Sequence, residues 1–448
     1  MEISACKLAG LVAAIGLLMQ GPAAFAQQTP LQIKSFSVGP DQTLTYPDSS
    51  SGAKNQLAGL VDDHTTFFRA ASGDPYLVFG GALAGLSSGV WGAVVLQTTD
   101  LTTTDLTTFD FAPGYNFPVL TSPNRFTQCD AYDIATANTE FDENYAAPGS
   151  VLQDPTLPEG NLMMIYHAEN HCPGGVFNRL FYATVGFTRS SDNGRTWPKP
   201  EGGPLGGPSR YAVIQSADPQ PPAPHPALGD AAPSAIVYKS ADGNYYLYVV
   251  YVDFSSSGQS VRAARAKLGQ GTIGEQANPP LTFLKWFKNP FSLPGSFSQP
   301  GIGGGDSAVM PSTGCGSALQ DTPDISYNDD LGLYLMISVC YNDSAPVVGA
   351  RAGGWYYSTA TSLDLEDWTT PQLIQNSQTG RPPCPDKENG QKDGYDFDGD
   401  HPSTMSPGAA SGHTKLTGLI FFTHATCDLA SRQFLSRTFT IVAEPRRP

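Results

Sequence analysis

Residues 190–197 read Ser190-Ser191-Asp192-Asn193-Gly194-Arg195-Thr196-Trp197, and this octet decides what surrounds it. A carboxylate at Asp192 can accept from backbone N–H groups in a tight turn. Gly194 permits a positive φ there at no steric cost. Trp197 then supplies a large apolar ring to bury beneath the turn. Such a turn joins two strands, so it marks a sheet and not a reaction. Related stretches are Thr361-Ser362-Leu363-Asp364-Leu365-Glu366-Asp367-Trp368 and Thr103-Thr104-Asp105-Leu106-Thr107-Thr108-Phe109.

Working outward from the octet, the chain repeats. Each unit has a polar opening, an apolar strand, a short turn, a second strand rich in Tyr, Leu and Val, and a third strand. Unit one runs from Asp62-Asp63-His64 through Pro75–Phe79 to Trp91–Leu96. Unit two has Pro148–Val151, Leu162–Tyr166 and Phe181–Thr188. Unit three has Asp230–Val237, Tyr245–Val252 and Val261–Ala266. Unit four has Asp321–Ser326, Leu333–Val339 and Trp355–Tyr357. Unit five has Asp400–Ser403, Leu419–Phe422 and Phe434–Val442. Five units at a spacing of roughly 70–85 residues predict an all-β fold, a five-bladed β-propeller of four-stranded blades. A β-sandwich would not repeat opening, hairpin and turn in this way. Unit five shows only three strands before the sequence stops. The period-two stretch Leu31–Val38 is expected to pair with that last blade and close the ring without a raw edge.

Residues 1–26 read as a secretory signal, with Lys7, the apolar run Leu8–Met19 and the small-x-small site Ala24-Phe25-Ala26. The apolar run is too short to span a bilayer. Residues 27–448 are expected to be one propeller domain, secreted or periplasmic after cleavage near Ala26, monomeric, and without a membrane span. The net charge of −16 argues against nucleic acid, which requires basic patches.

Cys6 leaves with the signal, and six cysteines remain. Cys129, Cys315 and Cys384 each precede an opening strand; Cys172, Cys340 and Cys427 each lie at or just past the end of the second strand of the same unit. These positions are adjacent on one face of a propeller. The expected disulfides are therefore Cys129–Cys172, Cys315–Cys340 and Cys384–Cys427. No Cys-x-x-Cys spacing supports metal ligation instead.

Strands alternate in direction, so the unit openings and the loops after the second strands share one face, and the octet turns fall on the other. The first face holds Asp63, His64, Asp142, Glu143, Asp230, Asp321, Asp400 and His401 from the openings. The loops add His167, Glu169, His171, Asp253, Asn342, Asp343 and His424. Carboxylates gathered in a partly desolvated cleft push each other's pKa values apart, which separates an acid from a base. Asp before a strand also serves as an ordinary turn cap. Asp396, Asp398 and Asp400 place three carboxylates in five residues, a spacing that suits a hard cation such as calcium or an acidic loop. No cofactor is required by this pattern.

The octet matches the Asp-box, Ser-x-Asp-x-Gly-x-Thr-Trp, and so resembles the turns of sialidase-like propellers. The stretches at 361–368 and 103–109, with an Asp at the opening of unit one, resemble the five-bladed β-propeller glycosidases: arabinanases, β-xylosidases, invertases and levansucrases. That resemblance implies a carbohydrate substrate at the channel mouth, Asp63 as base or nucleophile, and an acidic residue of a later blade as general acid. Glu169 and Asp230 are the candidates, with His64, His167, Asp321 and His401 lining the sugar site. The family's Arg-Asp-Pro opening is absent, since Asp74-Pro75 lies in the hairpin, and its usual Glu at the third blade is Asp230 here. A sialidase would need an Arg-Ile-Pro motif that this sequence lacks. The functional classes in play are a glycoside hydrolase, a polysaccharide lyase, and a non-catalytic glycan- or protein-binding propeller.

Overall fold

A computed structural model describes residues 31–44, 57–83, 91–98, 109–112, 114–115, 120–121, 141–142, 145–171, 181–197, 210–218, 228–254, 260–269, 281–288, 295–310, 319–342, 352–364, 366–377, 397–425 and 433–446. Among the described residues there is no helix, and the fold is all-β. Residues 1–26, read above as a secretory signal, and Thr103–Thr108 lie outside the described residues.

The strands follow the repeat. β1 (Leu31–Thr43) comes first. Unit one contains β2 (Leu57–Arg69), β3 (Pro75–Leu83), β4 (Trp91–Thr98), β5 (Phe109–Phe111) and the short β6 (Leu120–Thr121). Unit two contains β7 (Tyr145–Gln153), β8 (Leu162–His171), β9 (Phe181–Ser190) and β10 (Arg210–Ile214). Unit three contains β11 (Leu228–Lys239), β12 (Tyr245–Asp253), β13 (Val261–Lys267), β14 (Phe283–Phe287) and β15 (Ser296–Pro300). Unit four contains β16 (Leu319–Asn328), β17 (Leu333–Asn342), β18 (Ala352–Ala360) and β19 (Gln372–Leu373). Unit five contains β20 (Phe397–Met405), β21 (His413–Thr414), β22 (Thr417–Ala425) and β23 (Gln433–Pro445).

Within each unit consecutive main strands pair antiparallel. The N-terminal stretch behaves as its periodicity predicts: β1 pairs with β23, Leu31 opposite Pro445 and Val38 opposite Phe439. The order β1-β23-β22-β20 gives unit five its fourth strand. Two features differ from separate sheets. β21 of unit five pairs in parallel with β16 of unit four, Tyr327 with His413 and Asn328 with Thr414. β9 and β11 pair briefly in parallel, Leu228 with Tyr182 and Gly229 with Ala183, joining units two and three. Gly229 makes this approach feasible, since a Cβ there would lie 2.1 Å from Ala183 O.

Period-two alternation puts opposite faces of each strand into different cores. On β8, Leu162, Met164 and Tyr166 pack with Phe68, Val78 and Trp197 on the side of unit one. The intervening Met163 and Ile165 pack with Leu247, Val249 and Tyr251 of unit three. On β12, Tyr248 and Val250 turn the other way, toward Ile325 and Met336 of unit four. Unit four meets unit five through Trp355, Ile337, Ile420 and Phe439. Phe79 of unit one stacks on Phe434 of unit five at 5.2 Å. Burial on both faces explains why these strands read as nearly continuous apolar runs.

The opening strands are tied side by side. The N–H of Val151 donates to Thr66 Oγ1 at 2.9 Å, that of Ala235 to Ser150 Oγ at 2.8 Å, and that of Ile325 to Ser234 Oγ at 3.1 Å. The N–H of Thr404 donates to Asp324 Oδ2 at 2.7 Å, and that of Thr65 to Ser403 Oγ at 3.0 Å. These bonds run from unit one through two, three, four and five and back to one. Each acceptor follows an irregularity in its strand. In units three, four and five that irregularity places Ala232, Thr322 and His401 at φ of 46°, 41° and 51°, each immediately before a proline. Non-glycine residues rarely adopt such values. The interstrand bonds and the following proline hold the strain in place.

The octet turn follows β9 as expected. Ser190 Oγ and Thr196 Oγ1 donate to Asp192 at 2.6 and 2.5 Å, and the Thr196 N–H donates to Asp192 Oδ1 at 3.0 Å. Burial raises the Asp192 pKa, but the bonds from Ser190 and Thr196 outweigh it and hold the carboxyl below its ordinary value. Gly194 has φ 78° and Trp197 is buried. The second turn is built differently. Asp367 reaches back to the N–H groups of Thr361 and Ser362, each at 3.1 Å. Asp364 instead leaves the turn and binds Tyr238, Ser240 and Arg265 of unit three. Glu366 is pressed against Tyr248 and Trp368, and burial raises its pKa to about 8.

Candidate active site at the ends of the opening strands

The bulge at Ala232 organises three units at once. Its N–H donates to His167 Nδ1 at 2.9 Å, and its carbonyl faces His64 Nε2 at 3.3 Å. An imidazole nitrogen that accepts a hydrogen bond carries no proton. His167 therefore bears its proton on Nε2, which faces Glu169 Oε1 at 2.9 Å. One peptide thus fixes the tautomer of His167 and aims its N–H at a carboxylate.

His64 is fully buried, with Nδ1 3.4 Å from Ser403 Oγ of unit five. Burial, reinforced by the neighbouring His401 and His167, lowers its pKa to about 3, so the ring is neutral at any ordinary pH. As a neutral ring, it donates from Nε2 to Ala232 O and accepts at Nδ1 from the Ser403 hydroxyl. The His401 ring stands edge-on to it at 5.8 Å. His64, His167 and His401, expected to line one site, are therefore brought together, and Glu169 joins them. Tyr145 lies against His167 at 5.6 Å, and the partly exposed Phe181 and Phe254 stand 6.2 Å apart beside it.

The remaining sequence candidates divide. Asp63 lies on β2 immediately before His64, its side chain outside the described part. Asp321 is half-buried on β16 and accepts from the N–H of Thr322 at 2.8 Å. Asp142 is buried and accepts from Tyr166 OH at 3.1 Å. Asp396 and the side chains of Asp398 and Asp400 lie outside the described residues, as do Cys129, Cys172, Cys315, Cys384 and Cys427. Cys340 is buried at 3% exposure and disulfide-bonded.

Asp230 lies on β11 at the opening of unit three. It is fully buried, pairs across the strands with Asp253, and receives Lys285 Nζ on Oδ2 at 2.9 Å. Burial raises its pKa, Lys285 opposes this, and Asp306 and Asp253 add to the rise. Carboxylate oxygens of Asp230, Asp253 and Asp306 lie within 4.8 Å of one another. A cation already serves this trio, because Lys285 Nζ is also 3.6 Å from Asp306 Oδ2.

Sequence reasoning missed two groups. The ring acceptors Ser234, Asp324 and Ser403 had a signal, since each is the residue after the proline of its opening strand. Lys285 had none, being one lysine on an outer strand.

No family model and no curated protein matches the sequence. Among solved structures the chain is similar to an N-acetylgalactosamine deacetylase from F. plautii in complex with blood group B trisaccharide, at 11% identity, covering 91% of this chain and 95% of that one, with a TM-score of 0.46. It is similar to a thermostable family-43 glycoside hydrolase at 12% identity, covering 90% and 96%, with a TM-score of 0.38. For the native arabinanase of Bacillus subtilis the values are 12% identity, 87% and 96% coverage, and a TM-score of 0.36. At these identities and TM-scores neither a fold nor a residue role is taken from the likeness.

Proposed function

We propose that the protein is an exported glycoside hydrolase built as a closed, five-bladed β-propeller. The cycle of five bonds between opening strands supports the blade count, and the β1–β23 pairing supports closure through the N-terminal strand. One observation carries the choice of site: the backbone N–H and C=O of Ala232 gather His64 of unit one and the His167–Glu169 pair of unit two at one end of the opening strands.

In this reading a glycan lies across that mouth, with the partly exposed Phe181 and Phe254 offering apolar faces to a sugar ring. Asp63 and Glu169 are the paired carboxylates of hydrolysis, one protonating the leaving oxygen while the other activates water or attacks. Asp63 takes the base role. Glu169 is preferred over Asp230 as its partner because Asp230 is sealed from solvent and held by Lys285. His64 and His167, expected to meet the sugar, spend their ring nitrogens on Ala232, Ser403 and Glu169 and so shape the site by holding Glu169 in place, with His401 beside them. No cofactor is required for this chemistry. Calcium at Asp396, Asp398 and Asp400 is a structural addition, to be read as a rise in melting temperature on calcium addition.

The test is direct. Purified protein is incubated with a panel of plant, microbial and animal polysaccharides, and released reducing sugar is measured. Hydrolysis of one member, abolished in Glu169→Gln, is the expected result. Binding without turnover would assign a lectin instead, and a product with a new double bond would assign a lyase.

A further inference from the structure

Lys285 and Asp230 form an unusual pair. Both side chains have no exposed surface, and Nζ lies 2.9 Å from Oδ2. Lys285 also donates to Gln215 O at 2.8 Å and stands 5.7 Å above the Tyr251 ring. A third carboxylate is in reach: Asp306 Oδ2, held by Tyr251 OH at 2.8 Å, is 3.6 Å from the same Nζ. Asp306 is itself steadied by Arg262 at 3.6 Å. An amine against a carboxyl, sealed from water, with a second carboxyl to carry protons, is the arrangement in which a lysine and an aspartate can condense.

We propose that Lys285 and Asp230 form an intramolecular isopeptide bond. A proton crosses the hydrogen bond from Nζ to the Asp230 carboxylate, giving a neutral amine and a neutral acid. Burial, which raises the Asp230 pKa, favours this transfer. The Nζ lone pair attacks Cγ of Asp230. The Asp306 carboxylate takes a proton from the nitrogen of the tetrahedral adduct and delivers it to the departing hydroxyl. One C–N bond forms, one C–O bond breaks, and one water leaves; Asp306 ends as it began and no oxidant or reductant enters.

Energetics point the same way. An ion pair buried without solvent carries a desolvation penalty that its attraction only partly repays. Amide formation removes both charges and leaves Asp306 with Arg262 and Tyr251. The bond would join the opening strand β11 to β14, three strands away in the same sheet, and fix the strands of unit three to one another.

The experiment is intact mass spectrometry of the purified full chain after reduction, followed by proteolysis. The expected mass is lower than that of the processed sequence by one water, with a branched peptide joining the segments around Asp230 and Lys285. Lys285→Met and Asp230→Ala should each restore the full mass. Asp306→Ala, which keeps both reacting groups, should leave a detectable unreacted fraction. A wild-type mass equal to that of the processed sequence, with the two peptides recovered separately, shows an ion pair only and overturns the proposal without need of any variant. The outcome does not depend on hydrolase activity, so failure of either reading leaves the other standing.

Discussion

The backbone N–H of Thr65 donates to Ser403 Oγ at 3.0 Å across 338 residues of chain. That bond links the first unit to the last and completes a cycle in which each unit lends a side-chain oxygen to the next. Removing it leaves a buried donor unsatisfied. Ser403→Ala should destabilise by about 1–3 kcal/mol. Ser234→Ala, which removes the acceptor for Ile325, should cost a similar amount. Ser72→Ala, on an exposed turn, should change little. Urea unfolding of the three variants checks the ranking, and equal midpoints would remove the ring's stabilising role.

Acid should weaken the fold through His64. Its folded pKa of about 3 lies below the ordinary 6.5, so the unfolded chain takes up a proton that the folded chain refuses. The stability this group contributes is present above pH 6.5 and is lost as pH falls toward 3. Replacement by Asn, which cannot titrate, should flatten the fall in stability between pH 7 and pH 5, read as the difference in urea midpoint.

Glu366 acts in the opposite sense. Burial raises its folded pKa to about 8 from 4.5, so its contribution is present in acid and lost as pH rises through 8. Glu366→Gln keeps acceptor and shape for Tyr248 and should remove a loss of stability on the alkaline side. A variant whose alkaline limb matches wild type would show that Glu366 is charged throughout.

The octet turn is structural, so its loss should separate stability from activity. Asp192→Ala removes the acceptor for Thr196 and should lower stability by about 1–3 kcal/mol. Turnover of a confirmed substrate below the melting temperature should be unchanged.

Catalysis should fail in the reverse pattern. Glu169→Gln and Asp63→Asn should each reduce kcat by about 10²–10⁴-fold, the usual share of a general acid or base. Melting temperatures should stay near wild type. Either variant retaining nearly full activity would move the chemistry elsewhere on the mouth.

The sequence was most legible where one chemical requirement acts locally. Tyr245–Val252 reads as a strand because it must be apolar on two faces, and β12 buries Val249 and Val250 into different cores. The octet contains its own acceptors and donors, so its turn needs nothing from afar. Leu31–Val38 was legible through period two and the missing strand of unit five. The site was legible only as a face. His64, His167, Glu169 and His401 could be assigned to one end of the strands, but not the residue that joins them. Ala232 is chosen by the bulge before Pro233, and an alanine announces no role. For Asp230 the sequence offered an opening-strand carboxylate near Asp253, but not its partner Lys285, 55 residues away on another strand. Long-range charge pairing leaves no periodicity to read.

The pairing of β1 with β23 also constrains the order of events in folding. Residues 31–43 leave the ribosome early, yet their hydrogen-bonding partners lie at 433–445. Units two, three and four can assemble from local hairpins as they emerge, whereas the last sheet has the highest contact order in the chain and should be its slow step. Until the final strand arrives, β1 is an unpaired amphipathic segment that invites capture by a chaperone or by another copy. Truncation inside β23 should therefore harm solubility more than removal of a comparable length of surface loop.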